Sequence, residues 1–126
     1  METQDKLEKE IGTKEMEILK PKQVQVVEVG LESVKFGKKT NEKVTLACKH
    51  PDREDPIIIS RVKVLKRDKA VLSGLWFNLD EEGNIQKGST LAEFLSYAKV
   101  SKPSELKDMA FETIANDDGF LFLKGY

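Results

Sequence analysis

The chain is short of almost every residue that announces a committed chemistry. It has one cysteine, Cys48, and one histidine, His50. A single cysteine closes no internal disulfide, which fits a reducing cytoplasm. Structural zinc takes about four Cys or His ligands at short paired spacings, so these two residues exclude a site of that kind. No apolar run approaches the roughly 18 residues of a membrane span. The charged start, METQDKLEKEIGTKEMEILK, lacks the apolar segment of a secretory signal. A cytoplasmic location without a membrane partner is therefore expected. The eight glycines are dispersed and spell neither G-x-G-x-x-G nor G-x-x-x-x-G-K-[ST], so no phosphate cradle and no cofactor is expected.

Catalytic groups are equally scarce. Cys48 and His50 stand two apart and would share a face if a strand ran through both. A Cys-His pair needs converging side chains and an orienting third group. Cys48 is in phase with Val44 and Leu46, which reads instead as a core thiol, with His50 a loop residue bonded to its neighbours. The acidic stretch Asp80-Glu81-Glu82-Gly83-Asn84 has oxygen ligands suited to calcium or magnesium but lacks the EF-hand pattern, and reads as a solvated turn. Glu81/Glu82 and Asp117/Asp118 also fall in turns, where hydrolase chemistry would need one of them buried. No catalytic residue and no metal ligand is assigned, and the chain is expected not to be an enzyme.

What is present is charge, unevenly spread. The net charge is −1, yet residues 1–34 carry −3, residues 35–69 carry +6 and residues 70–126 carry −4. A polyanion would have to be met by a local patch in the middle third. The alternative is that this lysine excess is simply a solvated surface. Lysine outnumbers arginine 18 to 3. Lys/Glu enrichment is a hyperthermophile trait, so a thermophilic source is expected, although four Asn and four Gln remain.

The 126 residues suit one domain. Residues 1–21 read as a flexible or partly helical extension, since Leu7, Ile11, Met16 and Ile18 give a broken stripe interrupted by Gly12. Pro21 ends it. From Val24 the period is two, with a phase slip between Val26 and Val27 that suggests a β-bulge. Phe36–Glu42 is polar and turn-like. Val44–Lys49 is a second strand, and His50–Pro56 a loop. Ile57–Leu65 alternates again, with Ile58, Val62 and Val64 inward and Arg61 and Lys63 outward. Ala70–Leu79 places Val71, Leu75 and Phe77 on one face and Leu72, Gly74 and Trp76 on the other. Ser89 is a helix N-cap before the stripe Leu91, Phe94, Leu95, Ala98, and Pro103 opens a second helical turn over Ser101–Asp108. Met109–Ala115 and Phe120–Tyr126 are closing strands around an Asp-Gly hairpin.

Five or six short strands, with one helix before the last two, predict a mainly β barrel with a short helical insertion over residues 22–126; an α+β arrangement is the alternative. This layout resembles an OB-fold. Through Gly74-Leu75-Trp76-Phe77-Asn78-Leu79-Asp80, Ser89-Thr90-Leu91-Ala92 and Asp118-Gly119-Phe120-Leu121, the C-terminal third of the chain resembles small accessory proteins of archaea and their viruses or plasmids.

One juxtaposition hints at a ligand. Arg61 and Lys63 project from the third strand, and Trp76 from the outward face of the fourth. Lys49, Arg53, Lys66 and Arg67 lie at the ends of these elements. Single-stranded nucleic acid takes this mixture, cations for phosphates and a flat ring for a base. Phe120, Phe122 and Lys124 offer a second platform. Core packing is the competing reading for each aromatic. The expected function is binding of single-stranded nucleic acid. The alternative is a protein-interaction module or homo-oligomer, with Trp76 and Phe120–Leu123 as interface anchors.

Overall fold

Two kinked strands turn a pair of four-stranded sheets into one barrel. The computed structural model describes residues 19–126; the rest of the expected N-terminal extension, residues 1–18, lies outside the described residues. Eight strands follow in order: β1 (Val24–Phe36), β2 (Lys39–Lys49), β3 (Ile57–Ile59), β4 (Arg61–Lys66), β5 (Lys69–Gly74), β6 (Ala110–Phe111), β7 (Thr113–Ala115) and β8 (Leu121–Gly125). Helix α1 (Thr90–Ala98) and a 3-10 turn (Pro103–Leu106) lie between β5 and β6. One sheet has the order β3-β2-β1-β6, the other β5-β4-β8-β7.

Only Ser60 separates β3 from β4, and only Glu112 separates β6 from β7. Each pair is thus one bent strand that begins in one sheet and ends in the other. The hinge carbonyls stay satisfied: Ser60 accepts from the Leu75 amide at 2.9 Å and Glu112 from the Lys124 amide at 2.9 Å. Joined this way, the circuit runs β1, β2, β3–β4, β8, β7–β6 and back to β1. All contacts are antiparallel except β4 with β8, which is parallel. The expected mainly β barrel with a short helical insertion is the observed architecture.

The alternating strands fill the interior with Val24, Val26, Val44, Leu46, Val62, Val64 and Leu123, all buried. Helix α1 adds Leu91, Phe94 and Leu95 from one stripe. Ser89 caps it, its Oγ accepting from the Ala92 amide at 3.2 Å. Lys99, in the left-handed region at φ 61°, ends it. Phe94 packs against Phe111 at a tilt of 40° with centroids 4.9 Å apart, tying the helix to β6.

Four expectations about individual segments need correction. The slip near Val26 is a bulge, with Val26 opposite Cys48 and Glu28 opposite Ala47, but β1 does not give way to a turn spanning Phe36–Glu42. It continues to Phe36, and only Gly37-Lys38 turn. Gly37, at φ 62°, supplies the positive angle of a glycine-first two-residue hairpin. The segment read as a polar loop is the end of a long β1–β2 arm. Both its faces meet solvent there, so no apolar alternation marks it. Ile58 is not inward but 66% exposed, and Ile59 is buried instead. The bend at Ser60 resets the phase, which leaves Ile59 and Val62 inward on either side of it. Finally, the strand expected to run to Leu79 ends at Gly74, and Met109–Ala115 is broken at Glu112.

Candidate nucleic-acid interface

After β5 the chain crosses to the other sheet. Leu75 is fully buried, its amide bonded to Ser60 and its carbonyl accepting from the Val44 amide at 2.8 Å. The Phe77 amide donates to the Glu42 carbonyl at 2.8 Å. Trp76, held between these anchors and bridged to Lys43, leaves the core by simple alternation. Its indole is half-buried. Phe36, at the end of β1, leans against it with centroids 5.7 Å apart at 57°, and the Lys43 ammonium stands 5.4 Å from the ring centroid.

The indole also rests on β5. Val71 and Ser73 oppose Val64 and Val62, the inward residues of β4, so Gly74 points outward. A Cβ on Gly74 would stand 2.8 Å from Trp76 Nε1. Glycine is therefore what lets the ring lie against the sheet. Gly74 is the register partner of Arg61, which sets the tryptophan beside the start of β4. On the other side of Arg61 is a groove of about 170 Å³ lined by Arg61, Ile58, Phe120 and Phe122.

Phe120 is 67% exposed. Asn116 builds the loop that presents it: its Oδ1 accepts from the Phe120 amide at 2.9 Å and the Asp118 amide at 3.0 Å. Lys63, one alternation beyond Arg61, faces Leu72 on β5 and Lys124 on β8. The Lys124 ammonium lies 5.1 Å over the Tyr126 ring. Among the described residues, Arg61, Lys63 and Lys124 form no ion pair; the two salt bridges found are Lys22–Asp52 and Lys43–Glu32. Cations on neighbouring strands repel each other, and an anion laid along them removes that repulsion.

Of the residues singled out in the sequence, Arg61, Lys63 and Trp76 come together on this outer face. Lys49 sits at the far end of β2, where its ammonium donates to the Arg53 carbonyl. Arg53 is in the exposed loop beyond. That end is organised by His50, which is buried: its Nδ1 accepts from the Asp52 amide at 3.0 Å, and its Nε2 meets the Lys20 carbonyl at 2.8 Å. Both ring nitrogens are thus engaged by backbone groups, so His50 is a structural residue that ties Lys20 to the loop. Lys66 and Arg67 lie at the β4–β5 turn, where positive φ at Arg67 and Asp68 marks a type I′ hairpin. Lys66 follows Val62 and Val64 in phase, away from the tryptophan face. The second platform divides: Phe122 is buried, whereas Phe120 is open.

Phe36, Lys43 and the role of Gly74 were not visible in the sequence. A hairpin reading of Gly37-Lys38 would have put Phe36 opposite Lys39 and on the same face as Lys43. The Cys48 thiol is buried, with its pKa pushed up to about 12 by desolvation, so it is no thiolate at neutral pH. Asp80 Oδ1 accepts from the Glu82 and Asn84 amides, both at 2.9 Å, and so builds its own turn. Among the described residues no cluster of three or more His, Cys, Asp or Glu is placed to hold a metal, and no helix is long and apolar enough to cross a membrane. Comparison with known proteins gives no match to a protein family, a curated protein or a solved structure.

Proposed function

We propose that the chain binds single-stranded nucleic acid on the outer face of β2, β4 and β8. The observation that carries the reading is Trp76 held half-open between Phe36 and Lys43, on the same face as Arg61 and Lys63. Phe120 lies across Arg61 from it. Rings for two or more bases thus flank a row of cations. The strand circuit supports the reading as well. An OB-type barrel binds oligonucleotides on its second and third strands and on the loops that follow its first and fourth strands. With each bent strand taken as one and β5, which lies outside the circuit, left uncounted, Lys43, Arg61 and Lys63 are on the second and third strands, while Phe36 and Phe120 flank those loops. Phosphates would track Arg61, Lys63 and Lys124, because Asp117 and Asp118 repel them from the Phe120 loop.

Trp76, the only tryptophan, reports directly on this. Its fluorescence is titrated with oligo-dT and with a duplex at two salt concentrations. Quenching is expected with the single strand, with a log–log salt slope near −3, from about −0.7 per phosphate contact and up to four cations. Equal quenching by duplex, or affinity indifferent to salt, would overturn the proposal.

A further inference from the structure

The other side of the β1–β2 arm has a separate feature. On one edge β1 is paired with β2 throughout, from Gln25 to Phe36. On its other edge it pairs with β6 at Val24 and Gln25, and Val26 exchanges hydrogen bonds with Asp108 and Met109 at 2.7 and 2.8 Å. From Val27 to Phe36, no described residue pairs with that edge. Natural sheets cover, charge or break such edges, because their open N–H and C=O groups are a template for another strand.

Beneath this edge, on the core-facing side of the arm, lies an apolar groove of about 430 Å³. Val29, Leu31, Val44, Phe77 and Pro103 line it. Leu31 is 60% exposed although it opposes the buried Val44. Two residues beyond Ser33, on the same face, stands Lys35, followed at the tip by Lys38 and Lys39. Glu42 is the sole acid between Lys35 and Lys43.

We infer that the edge of β1 left unpaired by the described residues, together with this groove, receives an extended peptide of a partner protein as an added strand. The peptide carries apolar side chains at alternate positions and carboxylates at the end near Lys35. Backbone pairing would supply the affinity, and alternate side chains in the groove the selectivity. Charge argues for a foreign peptide over a second copy. The core-facing residues of β1, Val29, Leu31, Ser33 and Lys35, include no acid, so a symmetric pairing of two arms leaves Lys35 without an opposite charge.

The probe is a set of fluorescein-labelled peptides that alternate Val, Leu or Ile with Thr and end in Asp-Asp, followed by anisotropy. Saturable binding is expected, weakened about tenfold or more by Leu31→Lys and by Lys35→Glu, and abolished by N-methylation of alternate peptide amides. The Leu31 side chain is largely in solvent, so this variant keeps its fold, and its affinity for oligo-dT stays unchanged. That separates this site from the nucleic-acid face. No saturable binding, equal binding of the N-methylated peptides, or dimerisation that Leu31→Lys abolishes would each overturn the inference.

Discussion

Replacing Gly74 by alanine tests whether the tryptophan face is built as described. In a strand, Gly→Ala ordinarily stabilises by about 0.5–1 kcal/mol, because the unfolded chain loses freedom. Here the added Cβ would lie 2.8 Å from Trp76 Nε1, 3.2 Å from Cδ1 and 3.5 Å from Cε2. The indole must swing away from the sheet. It then forfeits the tilted contact with Phe36, worth about 0.5–1.5 kcal/mol. It also loses the Lys43 cation–π contact, about 0.5–1 kcal/mol at a partly exposed site. The losses outweigh the gain by on the order of 1 kcal/mol, so Tm should fall by only a few degrees.

Oligonucleotide affinity should fall much further. A stacked base is worth roughly 1–3 kcal/mol, about 5- to 150-fold in Kd. The assays are Trp76 emission, thermal unfolding and oligo-dT binding on the same variant. A red-shifted emission, a small Tm decrease and a loss of about tenfold or more in affinity are expected. If emission is unchanged and Tm rises, the indole does not rest on Gly74. If emission shifts and affinity does not, Trp76 is not the stacking platform.

Arg61→Ala and Lys63→Ala should each reduce the magnitude of the salt slope by about 0.7, whereas Lys49→Ala and Arg53→Ala should leave it unchanged; oligo-dT titrations across salt decide this. Cys48 should resist alkylation by iodoacetamide at pH 8 in the folded protein and react once denatured, since burial lifts its pKa from the usual 9.0 to about 12. The unfolded thiol ionises first, so this group's stabilising contribution is complete below pH 9 and is lost as pH rises toward 12; Cys48→Ala should flatten that part of a stability–pH curve measured in urea. Gly125→Ala should destabilise by about 1–3 kcal/mol, because its Cβ would meet Val64 Cγ1 at 2.9 Å and the Lys63 carbonyl and Phe94 ring at 3.0 Å. Chemical denaturation measures it, and unchanged stability would mean that Phe94 and Val64 have room to move.

The sequence by itself determined the parts ruled by local chemistry and period. Ser89 and the Leu91–Phe94–Leu95 stripe specify α1, because a cap and a 3.6-residue repeat need no distant partner. The slip at Val26–Val27 is legible as a bulge, because side-chain direction alternates strictly along a strand. The alternation of Val62 and Val64 with Arg61 and Lys63 places two cations on the outer face for the same reason. Cys48 reads as core from its phase with Val44 and Leu46. Together these determine a β barrel with a short helical insertion over the described residues, and two of the cations in its candidate site.

Tertiary structure alone decided where the period breaks. The bends at Ser60 and Glu112 follow from closing two sheets into one barrel, a demand set by strands far away in the chain. Hence Ile58 faces solvent and Ile59 the core, against the local pattern. The β1–β2 arm runs past the core, so its residues keep backbone pairing without apolar alternation. Its strand character rests on register with a partner, which composition does not report. Phe36, Lys43 and Gly74 join Trp76 through three separate strands, and such a meeting exists only once the crossing after Gly74 is pinned by Leu75. Period and propensity act between neighbours in sequence; a binding face assembled across sheets depends on which distant strands the buried core brings together.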